Sequence, residues 1–138
     1  MPETSLPVEH LFTFTANVAV AGMVPNGPRG TRVIVEASSG TFEGPKMKGV
    51  AKAPGGDWVT ARPDGSIALD VRVLLETEDG AHILMTYQGM GATGSTRLLT
   101  GVFFETGEEQ YRWLNNVMAI GIGASDGQQV TYEVYQVL

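Results

Sequence analysis

The chain contains no cysteine, and charged side chains make up only 17% of it. The lack of cysteine excludes a disulfide framework, a thiolate nucleophile and a thiolate metal site. Acidic groups outnumber basic ones, and the formal net charge is -6. This net charge argues against a phosphate backbone or an anionic membrane as a partner, since each would require a basic face. We therefore expect neither nucleic acid nor a membrane as a partner.

Long apolar runs are missing as well. No run approaches the ~20 residues that a helix needs to cross a membrane. The first residues, MPETSLPVEH, lack the basic start and apolar run of a signal peptide. These features predict a soluble, cytoplasmic protein. The two histidines, His10 and His82, are far apart and have no paired-ligand spacing, so we expect no zinc or iron site and no cofactor.

The 138 residues present short β-rich runs separated by turn residues. They predict one domain over residues 1–138, in which residues 1–7 form a flexible leader broken by two prolines. Roughly eight to ten strands at this spacing favour an antiparallel barrel or sandwich. A single short helix is expected to begin at Thr106 and to end at Asn115-Asn116, before the last two strands.

Segments rich in Gly, Pro and Ser are predicted to interrupt the strands. The segment AGMVPNGPRGTR, residues 21–32, is expected to form a surface loop with Arg29 at its tip. There Arg29 is either a clamp for an anionic substrate or simply an exposed arginine. Two turns are predicted at Ser38-Ser39-Gly40 and at Ala53-Pro54-Gly55-Gly56.

The centre of the chain is predicted to be a long hairpin that turns at Asp79-Gly80. A two-residue turn there places Arg72 opposite Tyr87, and puts Asp70, Arg72, Met85 and Tyr87 on one face. If that face lines a cavity, Asp70 is a candidate base, and Arg72 with Tyr87 would stabilise an oxyanion. The alternative is an ordinary solvated outer face, and spacing alone favours that alternative.

Other candidates are acids and aromatic residues in apolar or glycine-rich settings. Asp57 and Trp58 follow two glycines. In one interpretation, Asp57 is a carboxylate at the cavity mouth with a raised pKa, and Trp58 is a flat apolar wall beside it. In the other, Asp57 is a turn aspartate that bonds its own backbone, and Trp58 is a core residue. Glu43 and Glu105 are either buried acids or strand-end carboxylates. Trp113 is either a ligand-stacking or a packing residue.

Three segments, GTFEGPKMKGVAKAPGGDW, RPDGSIALDVRVLLETEDGAHI and FFETGEEQYRWLNN, resemble the bacterial and fungal family known as domain of unknown function 3237. The resemblance runs from about Leu11 to the C-terminus, with the segments in the family's order. It implies a closed antiparallel lipocalin-like β-barrel with an internal cavity, and often a homo-oligomer.

Some fungal relatives are described as cofactor-independent cyclases that add a phenolic hydroxyl to an alkene. The resemblance therefore implies acid/base chemistry on a small conjugated, aromatic or polyketide-like molecule, of the isomerase, cyclase or lyase type. The motif positions are Asp57 and Trp58, Asp70 and Arg72, Glu105, and Trp113 with Asn115. The alternatives are a non-catalytic carrier or sensor that uses the same cavity, and a structural protein whose barrel is filled by its own side chains.

Overall fold

The structure is a computed structural model that describes residue 2 and residues 4–138. Two residues of the predicted leader, Met1 and Glu3, lie outside the described residues. Eight antiparallel strands follow one another in chain order and close into a barrel, because the last strand pairs with the first. The strands are β1 Val8–Gly27, β2 Gly30–Glu43, β3 Lys48–Ala61, β4 Ile67–Thr77, β5 His82–Gly91, β6 Leu98–Glu105, β7 Ala119–Ser125 and β8 Gln129–Val137. The prediction of a closed antiparallel barrel is confirmed.

A short 3₁₀ helix, Glu109–Asn116, precedes the last two strands. The predicted position and end of the helix are confirmed, but its predicted start at Thr106 is wrong. The Thr106 hydroxyl donates to the carbonyl of His82 at 2.8 Å and accepts from the amide of Glu108 at 3.2 Å. Thr106 therefore ties the helix lead-in to β5. Along the described part of the chain, no helical segment combines the length and the hydrophobicity that a bilayer crossing needs.

One end of the barrel is filled by side chains. Large apolar residues that are at most 4% exposed pack there, with Leu114 from the 3₁₀ helix against them: Phe12, Phe42, Leu75, Ile83, Met85 and Phe104. The Phe12 ring meets the Phe42 ring edge to face at 5.6 Å between centroids. Full burial of a side chain of this size contributes about 1.5–3 kcal/mol, so this end is the stable base of the fold.

The predicted loop over residues 21–32 is a β-hairpin instead. β1 continues to Gly27 and pairs with β2 as far as Gly27↔Gly30, so that only Pro28 and Arg29 form the turn. Pro25 is tolerated because it lies on an edge strand, where a missing amide hydrogen breaks no ladder. Among the described residues, β8 ends its pairing with β1 at Asn17↔Gln129. We call residues 19–27 of β1, which have a free edge, the arm.

The two turns predicted at residues 38–40 and 53–56 are also wrong. β2 and β3 run through these segments, and the breaker residues appear as register shifts between Glu36 and Ser39 and between Lys52 and Gly56. Such bulges accommodate extra residues without ending a strand, and they bend it. Long strands with bulges let a short chain wrap around a barrel.

The β4–β5 turn contains three residues, 78–80, and not two. The Gly80 amide donates to the Thr77 carbonyl at 2.9 Å, the Thr77 amide donates to the Ala81 carbonyl at 2.9 Å, and Gly80 has a φ of +88°. This is a turn followed by a glycine in the left-handed region, which is a common three-residue hairpin connection. The added residue places Arg72 opposite Thr86 and Tyr87 opposite Val71. The predicted register is wrong by one residue.

Candidate functional site

A cavity of about 420 Å³ occupies the barrel at the end away from the 3₁₀ helix. Its wall is mostly apolar and includes Phe14, Val35, Val59, Leu69, Val71 and Leu98. Hydroxyl groups of Ser95, Thr96 and Ser125 lie in the segments that border it. A mostly apolar cavity of this size with few polar groups is typical of a small-molecule site.

Asp57 supplies the carboxylate of the cavity wall. On β3 the register shift before Gly56 pairs Asp57 with Val71, a buried residue of the inner face of β4. Because directly paired residues share a face of the sheet, the Asp57 side chain also lies on the inner face. Its Oδ1 accepts a hydrogen bond from the Asp70 amide at 3.0 Å. The backbone amide of Asp70, on the neighbouring strand β4, therefore holds one oxygen of the Asp57 carboxylate in place.

Burial raises the pKa of Asp57 to about 6, because the apolar surroundings penalise the ionised form. The hydrogen bond from the Asp70 amide opposes this rise, and the nearby Asp70 charge adds to it. The carboxyl group therefore changes its protonation state close to neutral pH. A group with such a pKa is suited to both accepting and donating a proton.

Two tyrosines face each other beside Asp57. Tyr87 on β5 and Tyr132 on β8 are 5% and 2% exposed, and their ring centroids lie 5.1 Å apart at an interplanar angle of 62°. Val71 pairs with both Asp57 and Tyr87, so the carboxylate and the phenol belong to one row of inward-facing residues. Burial and the Asp57 charge raise the pKa of both phenols, which keeps them neutral donors at physiological pH.

Gly123 on β7 makes room for the Tyr132 ring. β7 pairs Gly123 with Tyr132, and a Cβ atom added at Gly123 would lie 2.5 Å from Cδ1 of that ring and 2.5 Å from the Thr131 carbonyl oxygen. Gly123 therefore permits close packing between β7 and the ring. The absence of a side chain there fixes the place of the second phenol.

The structure separates Asp70 and Arg72 from the cavity. Both alternate with the inward-facing Leu69, Val71 and Val73, so they lie on the outer face, where Arg72 is exposed and Gln88 donates to the Asp70 carboxylate at 3.4 Å. The prediction that Asp70, Arg72 and Tyr87 share one face is wrong, because it assumed a two-residue turn. Only Tyr87 of that set lies inside.

Four other candidates are also distant from the cavity. Trp58 is 41% exposed, because the strand alternation that turns Asp57 inward turns its neighbour outward. Glu43 ends β2 and Glu105 ends β6, and both are exposed. Arg29 is exposed at the turn between β1 and β2. The prediction of Trp58 as a cavity wall is wrong, and the two glutamates are strand-end carboxylates.

Met85 and Trp113 belong to the filled end of the barrel. Met85 is 1% exposed within the core, and Trp113 packs against that core from the 3₁₀ helix. The Lys46 ammonium lies 5.5 Å from the Trp113 ring centroid, a cation–π arrangement. Their roles are therefore in packing, away from the cavity lining.

Tyr132 is the residue that sequence reasoning missed. It occupies the middle of the alternation Val130, Tyr132, Val134, all three of which are buried. A polar aromatic residue at an inward position of the closing strand was the available signal. Within residues 2 and 4–138, no three histidine, aspartate or glutamate side chains come together in a way that would hold a metal ion.

Comparison with known proteins places the barrel among relatives from bacteria and fungi. UPF0311 protein RPA1785 of Rhodopseudomonas palustris is 27% identical over 151 residues, which cover 97% of this chain and 98% of that protein. The hydroalkoxylation enzyme phnH of Penicillium herquei is 30% identical over 115 residues, which cover 83% of this chain and 72% of that protein.

Solved structures agree with this placement. The crystal structure of RPA1785 superposes with a TM-score of 0.90 at 26% identity, over 99% of this chain and 100% of that one. The structure of an enzyme from Penicillium herquei superposes with a TM-score of 0.80 at 27% identity, over 100% of this chain and 98% of that one. The sequence profile of the family described as "Protein of unknown function (DUF3237)" matches residues 6–137. The chain therefore belongs to the DUF3237 family.

Proposed function

We propose that the protein is a cofactor-independent acid/base enzyme that acts on a small conjugated or aromatic molecule in the barrel cavity. The observation that carries the proposal is the placement of Asp57. Its carboxyl group lies in the wall of a mostly apolar cavity, with a pKa of about 6 and one oxygen held by the Asp70 amide. Such a group supplies either protonation state at neutral pH.

The reaction type comes from the fungal relative named a hydroalkoxylation enzyme, to which the chain is 30% identical. Hydroalkoxylation adds an O–H group across a C=C bond. For this chain we propose an intramolecular addition in which a phenol closes onto an alkene of the same molecule. The product is an isomer of the substrate, so no oxidant, reductant or leaving group takes part.

In the proposed step, the acid form of Asp57 gives its proton to one alkene carbon as the π bond breaks. The phenolic oxygen forms a C–O bond to the other alkene carbon, and its proton passes to the Asp57 carboxylate. The acid form is thereby restored, and atoms and charge balance over the cycle. The Tyr87 and Tyr132 hydroxyls, both beside the carboxylate, orient the substrate oxygen by hydrogen bonding.

The test uses phenols that carry an ortho-allyl, ortho-prenyl or ortho-geranyl chain, incubated with the protein in D₂O without added metal or cofactor. Mass spectrometry and NMR would detect the cyclic ether with one deuterium on the former alkene carbon. We expect Asp57→Asn to lower the rate at least ~100-fold, the size typical of a lost general acid/base. Binding of the phenols should persist in the variant.

The matched control is Asp70→Asn, which alters a neighbouring carboxylate on the outer face and leaves the backbone amide in place. It should keep the wild-type rate. Full activity of Asp57→Asn would refute the assigned acid/base. If the wild-type protein binds every phenol in the panel and converts none of them, the cavity serves a carrier or sensor instead.

A further inference from the structure

The cavity is one-sided in charge. None of the described residues that line it is a lysine, an arginine or a histidine, whereas Asp57 is ionisable and lies in its wall. On the strands next to Asp57, Arg72 is exposed on the outer face, and Lys52 binds Glu76 there at 2.9 Å. A ligand inside the barrel therefore meets one potential negative charge and no cation.

The Asp57 carboxylate also has hydrogen-bonding capacity that the protein leaves unused. Among the residues that the structure describes, only the Asp70 amide donates to Asp57, and it uses Oδ1. A carboxylate has about four acceptor sites, so most of its capacity is left for a ligand. A ligand that donates a hydrogen bond, such as one with a hydroxyl group, matches this free acceptor capacity, and the neighbouring rings of Tyr87 and Tyr132 add two phenol hydroxyls to the same wall.

From this geometry we propose that the cavity selects uncharged ligands that carry a hydroxyl group, such as phenols and enols, and rejects carboxylates and phosphates. The inference deepens the proposed function, on which it rests, by naming the charge class of the substrate. An anion would be repelled by Asp57 without a balancing cation. An ammonium ion would lose most of its hydration in an apolar wall that offers it one carboxylate.

This selectivity excludes whole groups of metabolites. Acyl chains carried on phosphate-bearing carriers, nucleotides and free carboxylic acids all bring a negative charge that this wall leaves unbalanced. A reaction that supplies the substrate must therefore deliver a neutral molecule, released from any ionic carrier and free of a carboxylate.

Three ligands with the same naphthalene body provide the test: 2-naphthol, 2-naphthoate and 2-naphthylmethylamine. Isothermal titration calorimetry at pH 7.5 would compare their dissociation constants. We expect 2-naphthol to bind the wild-type protein at least tenfold tighter than either charged ligand. In Asp57→Asn, which removes the charge and keeps the shape, 2-naphthoate should come within threefold of 2-naphthol.

A second arm uses pH. At pH 5 Asp57 is largely protonated while 2-naphthoate is still ionised, so the gap between 2-naphthol and 2-naphthoate should narrow in the wild-type protein. The ionisable groups near Asp57 are Tyr87 on β5 and Tyr132 on β8, inside the barrel, and Asp70 on the outer face of β4; both phenols stay neutral over this range. Asp70→Asn serves as the control. At pH 7.5 it should change the ratio of the 2-naphthoate and 2-naphthol dissociation constants by less than threefold.

The outcomes separate this inference from the proposed function. Tighter binding of either charged ligand than of 2-naphthol to the wild-type protein would overturn the selectivity, as would no binding of any of the three. Selective 2-naphthol binding without conversion of any prenylphenol would leave the selectivity standing and refute the enzyme. Conversion of prenylphenols, together with a preference for 2-naphthol below threefold, would refute the selectivity and leave the enzyme proposal standing.

Discussion

Burial and a backbone hydrogen bond act on Asp57 in opposite directions, and burial is the larger effect. The pKa of this carboxyl group rises from 3.8 to about 6 on folding, which means that the folded protein favours the protonated form. The associated stability is fully present below pH 3.8 and is lost as the pH rises through about 6. Asp57 therefore destabilises the fold at the pH where it is proposed to act.

Replacing Asp57 by asparagine should stabilise the protein at neutral pH. A pKa rise of this size corresponds to about 3 kcal/mol in the free energy of unfolding. Because Asp57 has partial contact with solvent, we expect Asp57→Asn to raise that free energy by about 2 kcal/mol. The side-chain carbonyl of the introduced asparagine retains the acceptor for the Asp70 amide. Urea unfolding at pH 7.5 and pH 4 would measure the gain, which should be near zero at the lower pH.

Removal of the Asp126 carboxylate, in the β7–β8 turn, is expected to change the stability in the opposite direction. The amides of Gln129 and Gln128 lower the pKa of Asp126 by hydrogen bonding to its carboxylate. Asp126→Ala should therefore lose stability at pH 7.5, with a smaller loss at low pH. A stability gain for Asp57→Asn that is the same at both pH values would contradict the assigned burial effect.

Sequence reasoning identified Asp57 and Tyr87 and missed their partner. Both came from local signals, an aspartate after two glycines and a tyrosine in the central hairpin. Tyr132 lies 45 residues beyond Tyr87 in the chain, and only closure of the barrel brings the two rings together. Strand order around a barrel is not encoded in the alternation of any one strand, so the pair could not be predicted from it.

At the scale of the elements, β7 acts as a cradle for Tyr132 because Gly123 has no side chain. Gly123→Ala should displace the Tyr132 ring, because the new Cβ would clash with Cδ1 and Cε1 of that ring and with the Thr131 carbonyl oxygen. We expect a loss of about 1–3 kcal/mol of stability, as for other overpacked cores. Turnover of the prenylphenols should fall in parallel. Chemical denaturation and the deuterium assay would measure the two effects.

Gly107→Ala is the matched control for this substitution. An added Cβ at Gly107 meets nothing within 4 Å, and Gly107 lies before the 3₁₀ helix, away from the cavity. The control should leave both stability and turnover close to wild type. Equal losses in the two variants would show that the glycine backbone, and not the space for the ring, determines the result.

The strand and turn predictions failed where glycine and proline were taken as breaks. Turns do form at Arg62-Pro63-Asp64-Gly65 and Ser125-Asp126-Gly127-Gln128, and in each the glycine has a positive φ. In residues 53–56 the same residue types lie within β3, where pairing with β2 and β4 on both sides overrides the local preference. Local chemistry therefore predicts a turn only where no neighbouring strand continues the ladder.

At the scale of the whole molecule, the arm of β1 presents an apolar surface to solvent. Val20, Met23 and Val24 are 55–65% exposed, and residues 19–27 contain no ionisable side chain. A free antiparallel edge is complementary to a second copy of itself about a two-fold axis. In a chain of net charge -6, this uncharged edge is also where two copies repel least. We therefore expect the homo-oligomer implied by the family resemblance to form through the arm.

Met23→Glu should shift such an oligomer toward the monomer, because it places a charge on the pairing edge. Met118→Glu is the matched control, since Met118 is 63% exposed against 58% for Met23 and lies outside the arm. Sedimentation velocity over a range of concentrations would compare the two variants with the wild-type protein. A monomeric wild-type protein, or an equal shift in both variants, would contradict a role for the arm.

The pairing of β8 with β1 has a consequence for biosynthesis. The side chains of Thr13 and Glu133, joined by a hydrogen bond, are 120 positions apart in the chain. A contact of that sequence separation cannot form until β8 has left the ribosome, and β-topologies with such distant contacts fold slowly. During translation the nascent sheet therefore stays open, with Phe12 and Phe14 unprotected from aggregation until the final strand emerges.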